Sequence, residues 1–68
     1  MDLKHIHNKY KTVKCEYDGI NHTVKKYQTG QVKLDNGYAE YLLLEKERRI
    51  LGEYMMLLAE EAKMCKGD

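Results

Sequence analysis

The residues of this chain best suited to chemistry are three imidazoles and a thiol within its first 22 positions: His5, His7, Cys15 and His22. In an extended segment, residues two apart point to the same side about 7 Å from each other, which suits chelation by the His5-x-His7 pair. Cys15 and His22 fall opposite one another if the chain between them turns as a β-hairpin. The four would then form a His₃Cys set, which Zn²⁺ accepts as a tetrahedron. Glu16 or Asp18 could stand in for one ligand. A structural zinc would also stabilise a small core. The competing expectation is a packed, hydrogen-bonded Cys15–His22 pair in the core, with the histidine pair of the arm in solvent. Cys65, the second thiol, is expected to pack in the core near the end of a helix.

Other chemistry is weakly provided for. The chain has no Ser, so no Ser nucleophile, and no Gly-rich phosphate loop. Cys15 with His22 matches a thiol–imidazole couple in composition only. Glu45 with Glu47, and Glu60 with Glu61, read as the solvated face of a helix. Catalysis is not expected. A basic, aromatic face is the other candidate: Lys14, Lys25 and Lys26, with Tyr10 and Tyr27 paired across the same side of a hairpin, suit phosphate contact and base stacking.

The elements that must position these groups follow from patterning. Residues 1–9 read as an arm. Residues 10–17 and 20–27 mix β-branched and aromatic residues with Lys in near alternation, and Asp18-Gly19 lies between them. An Asp-Gly pair between two alternating runs predicts a type I′ hairpin. Its core face is Val13, Cys15 and Tyr17 against Ile20, His22 and Val24. Thr29-Gly30 ends the second strand, and residues 31–34 are long enough for a short third one. Asp35-Asn36-Gly37 is a turn or a helix start.

From 38 to 66 the residues are good helix formers, and Gly67 stands where a helix stop belongs. Leu44, Leu51, Met55, Leu58, Ala62 and Cys65 form an apolar stripe at helical spacing, widened by Leu43, Ile50, Tyr54 and Leu57. Glu45, Arg49, Glu53, Glu60 and Lys63 lie opposite, interrupted by Leu42 and Met56. The fold expectation is therefore α+β: one small domain over residues 1–68, with a β-hairpin or three-stranded sheet in 10–34 packed on one long C-terminal helix. That arrangement carries a mismatch of length. A 29-residue helix runs about 43 Å, whereas eight-residue strands reach about 27 Å. Either the helix breaks near Gly52, or its overhang meets a second copy, with Leu51, Met55 and Leu58 at the centre of a homodimer.

Sixty-eight residues suffice for one marginal domain and leave little chain to wall off a dry pocket. No apolar run is long enough to span a membrane, and the start lacks the apolar stretch of a secretion signal. Reduced thiols and a cytoplasmic setting, in a host bacterium, are expected. Charge is balanced overall but uneven along the chain. Residues 1–34 hold seven Lys against Asp2, Glu16 and Asp18, a net of +4. Residues 35–68 hold five basic against eight acidic groups, a net of −3. Such asymmetry steers partners.

Asn8-Lys9-Tyr10, then Tyr17-Asp18-Gly19-Ile20 and Lys25-Lys26, resemble the opening of a phage endonuclease family of the restriction-endonuclease-like class. Residues 41–45 are similar to a helix found there. The likeness covers about a third of the chain, and the family's catalytic strand, an Asp followed by Glu-x-Lys, is missing, so nuclease activity does not carry over. In size and composition the chain is also similar to the small anti-defence proteins of phages and mobile elements, of which the anti-CRISPR proteins are a class. That likeness implies a non-enzymatic inhibitor of a host protein or nucleoprotein complex. Leu42, Glu45, Glu53, Met56 and Glu60 are its expected partner-binding residues. The alternative is a small nucleic-acid-binding regulator using Lys14, Lys25, Lys26, Tyr10 and Tyr27.

Overall fold

In the computed structural model, which describes residues 2–66, the chain is an antiparallel helical hairpin: α1 (Leu3–Gln28) and α2 (Gly37–Lys66). Among the described residues there is no strand, and the backbone is 86% helical. The expected α+β fold is thereby overturned. Residues 10–17 and 20–27 belong to one continuous helix, residues 31–34 are irregular chain, and only the helix expected at 38–66 stands, as α2. Gly67 lies outside the described residues.

The physical reason is a second period in the same residues. Ile6, Tyr10, Val13, Tyr17, Ile20, Val24 and Tyr27 recur at alternating steps of four and three, which is the seam of a helix packed along another helix. Read at period two, several of these also suit a strand. Helical pairing resolves the mismatch of length, because α1 has 26 residues and α2 has 30, and the molecule is a rod of 48 × 16 × 15 Å. One long helix now covers the other, which two short strands could not do.

Local chemistry accommodates the residues that argued for strands. Gly19 has no positive φ and no neighbour where a Cβ would stand, so it is an exposed helical residue and no turn forms at Asp18-Gly19. Lys14 Nζ reaches Asp18 Oδ2 at 3.4 Å, an exposed pair one helical turn apart. Thr12 and Thr23 donate their hydroxyls to the carbonyls of Asn8 and Gly19, each at 3.1 Å, a bond that a β-branched hydroxyl makes only along a helix.

Both helices are capped. The Asp2 carboxylate accepts from the Lys4 N–H at 3.1 Å and opens α1. At the other end Gly30 has φ +74°, its N–H donates to the Tyr27 carbonyl at 3.1 Å, and the Gln31 N–H donates to the Lys26 carbonyl at 2.8 Å. This is a Schellman stop, and the left-handed residue it needs is the glycine. The Glu40 carboxylate accepts from the Asn36 N–H at 3.2 Å and puts negative charge at the start of α2.

The core lies along the seam. Ile6, Val13, Val24 and Leu58 are buried, and Tyr10, Leu51, Tyr54, Met55, Ala62 and Cys65 pack against the cluster of Ile6, Val13 and Leu58. Gly52 does not break α2. It faces α1, where a Cβ would stand at an ordinary 3.5 Å from the Tyr17 ring. Near the connection Tyr27 stacks on Tyr41 at 4.9 Å between centroids, and Gln28 Nε2 donates to the Tyr41 hydroxyl at 2.8 Å. No helix among the described residues is long and apolar enough to cross a membrane.

Candidate functional site: the outer face of the second helix

The helical reading of residues 3–28 disperses the residues singled out for zinc. His5, His7, Cys15 and His22 are all exposed on α1. Two residues apart on a helix is more than half a turn, so His5 and His7 point to different sides. Cys15 and His22 share a face but stand two turns apart, about 10.5 Å along the axis, and His5 to His22 is about 26 Å. Zinc bonds are about 2.0–2.3 Å long, so the four do not converge on one ion. Among the described residues no group of three or more His, Cys, Asp or Glu is placed to hold a metal. The core pairing of Cys15 with His22 fails for the same reason.

The basic aromatic face is dispersed too. Lys14 and Lys25 are exposed, but Lys26, Tyr10 and Tyr27 are half-buried. Tyr10 packs on the core and Tyr27 is stacked on Tyr41, so neither offers a free ring for a base. The expected homodimer centre is likewise occupied within the chain: Leu51, Met55 and Leu58 pack against α1.

What sequence reasoning missed is a polar cluster inside the seam. Arg48 sits on the face that α2 turns to α1, where the heptad pattern calls for an apolar residue. Its Nη1 donates to Asn21 Oδ1 on α1 at 3.0 Å, and its Nη2 donates to Glu45 Oε2 at 3.1 Å. Glu45 Oε1 lies 3.0 Å from the same Nη2 but is covered from solvent without a hydrogen bond. Glu45 is thus a half-buried structural partner of Arg48. It pairs there instead of with Arg49, and it is withdrawn from the expected partner-binding set. A lone polar residue in a seam fixes register, and the signal was Arg48 standing at a seam position between Leu44 and Leu51.

On the opposite edge of the seam Lys9 Nζ stands 5.4 Å from the centroid of the Tyr54 ring. Side-chain hydrogen bonding with Tyr54, then the charges of Tyr54 and Glu61, hold the Lys9 ammonium above its usual 10.5.

The remaining expected partner-binding residues keep their exposure. Glu53 and Glu60 are in solvent, and Leu42 and Met56 are 45% and 68% exposed. They belong to a larger pattern. Tyr38, Leu42, Leu43, Ile50, Met56, Leu57 and Met64 are the exposed large hydrophobic residues of the described chain, and all lie on α2. They divide into two edges. Tyr38, Leu42 and Met56 lie on the side of Gly52 and Arg48, with Arg49 between Leu42 and Met56. Leu43, Ile50, Leu57 and Met64 lie on the side of Tyr54. One open groove along the hairpin is lined by Ile6, His7, Tyr10, Leu58, Ala59, Ala62 and Lys63.

Comparison with protein-family models, with curated proteins and with solved structures finds no match.

Proposed function

We propose that the chain is a non-catalytic protein-binding module, suited to act as an inhibitor of a larger host complex, and that it engages its partner through the Tyr38–Leu42–Met56 edge of α2. The observation that carries this reading is the segregation of every exposed large apolar side chain among the described residues onto α2. A solvated helix has no need of them. Leu42 and Met56, seven residues either side of Arg49, form a row of two apolar anchors around a guanidinium, and Met and Arg are enriched in protein interfaces. Glu53 and Glu60 border this row and favour a partner with basic groups at its rim.

The test is titration of a purified bacterial CRISPR effector complex with the protein, read by inhibition of target cleavage and by direct binding. Leu42→Glu with Met56→Glu should weaken binding at least tenfold while leaving helicity unchanged. The nucleic-acid reading survives in one observation, the six Lys against Glu16 and Asp18 on α1. Salt-sensitive binding to an oligonucleotide that Lys14→Ala and Lys25→Ala weaken, without inhibition or binding of the complex, would replace the inhibitor reading.

A further inference from the structure

Leu43, Ile50, Leu57 and Met64 recur at intervals of seven and are 56–74% exposed. We infer that this stripe is a second helix–helix seam, and that a second copy of this chain covers it, α2 lying antiparallel on α2 to make a symmetric four-helix dimer. The inference is independent of the partner edge proposed above. The two edges are about 100° apart around the helix; they share Glu53 and Glu60 at their border, but a second copy on one leaves Leu42 and Met56 of the other uncovered.

The spacing specifies a helix as the occupant. Side chains every seven residues stay on one line only when a helix is wound about another helix. The face of α2 that α1 already covers alternates steps of four and three from Leu44 to Cys65, whereas this stripe has one apolar residue per heptad, joined by Tyr54. Tyr54, half-buried beside Lys9, completes the second seam at mid-length. The stripe covers 21 residue steps, about 32 Å, and a helix covering it buries on the order of 600 Å² per copy. That is somewhat below the roughly 800 Å² per partner of a standard interface.

The apolar positions are self-complementary, which fits a second copy. About a two-fold axis between Glu53 and Tyr54, Leu43 meets Met64 of the second copy and Ile50 meets its Leu57. On the outer flank Lys46 falls beside Glu60 of the second copy, twice by symmetry, an attractive pair. Glu53 falls beside its own counterpart, a repulsive one. On the inner flank Glu47 approaches Glu61 of the second copy, where Lys9 supplies the nearby cation. A single hairpin buries few side chains completely, and joining two hairpins is the general remedy for such a scaffold.

The experiment is sedimentation equilibrium of the full chain from 1 to 300 µM. The expected result is a monomer–dimer equilibrium with twice the chain mass at the upper end. Ile50→Glu with Leu57→Glu should raise the dissociation constant at least a hundredfold. Both positions are exposed, so helicity measured by circular dichroism should hold. Lys46→Glu should weaken the dimer, Glu60→Lys added to it should restore it, and Glu53→Gln should tighten it. Leu42→Glu with Met56→Glu should leave it unchanged, which separates this proposal from the partner edge. Orientation is read by mixing the Ile50→Cys and Leu57→Cys variants in a chain carrying Cys15→Ser and Cys65→Ala. A mixed disulfide supports the antiparallel dimer. Disulfides formed only between like variants overturn it, as does a monomer at 300 µM, a trimer, or a dimer indifferent to Ile50→Glu with Leu57→Glu.

Discussion

Gly19→Ala separates the helical hairpin from a strand-turn-strand structure in a single substitution. Gly19 lies mid-way along α1 with no positive φ, and a Cβ there meets nothing within 4 Å. Alanine is favoured over glycine in a helix interior by about 0.8–1.0 kcal/mol, because the unfolded chain loses freedom and the folded chain loses nothing. For a domain of this size that difference raises the midpoint of thermal unfolding by roughly 4–8 °C. In a type I′ Asp-Gly turn the same residue needs positive φ, and alanine would destabilise. The assay is a thermal melt followed by helical ellipticity, at one fixed protein concentration because association shifts the midpoint. Gly30→Ala is the companion. Gly30 has φ +74°, so alanine there should cost about 1–2 kcal/mol and lower the midpoint. A lower midpoint for Gly19→Ala, or a higher one for Gly30→Ala, would refute the argument.

Gly52→Ala should be neutral to stabilising by up to about 1 kcal/mol, since its Cβ would meet the Tyr17 ring at an ordinary 3.5 Å; chemical denaturation checks it, and a loss above that size would mean that α1 and α2 approach more closely. Arg48→Ala should cost about 1–3 kcal/mol in the same assay, because it removes the donor to the half-buried Glu45 carboxylate and to the Asn21 amide oxygen, and Glu45→Gln added to it should recover part of the loss. Ile6→Ala should cost about 2–5 kcal/mol by opening the core at its end. Because the Lys9 pKa is raised, its contribution is full below pH 10.5 and is lost as pH climbs through the raised value; an NMR titration should place its midpoint above 10.5, and Tyr54→Phe should lower it.

Much of α2 was legible because its signals agree. From 38 to 66 there is no Pro and only one Gly, and the stripe from Leu44 to Cys65 has only a helical reading. The end of the first element at Thr29-Gly30 was legible for a similar reason: glycine with a left-handed φ stops a strand or a helix alike. In residues 10–27 the signals conflict. Val13, Tyr17, Ile20 and Val24 satisfy both a two-residue and a heptad period, and Asp18-Gly19 favours a turn that the helix overrides for about 1 kcal/mol. The choice is made by α2, a helix of 30 residues whose apolar stripe runs from Leu44 to Cys65 and is interrupted by Arg48, and only a helix of similar length matches it. The placement of His5, His7, Cys15 and His22 follows from that choice. Types and spacing determined that imidazole and thiol were present near the start of the chain. Whether they met was decided by the backbone period, which spreads on a helix what a hairpin would gather. The exposed residues tell the same story in reverse: the sequence alone set Leu43, Ile50, Leu57 and Met64 seven apart, but only the docking of α1 decided which of the apolar faces of α2 was left uncovered, because one helix can cover only one seam.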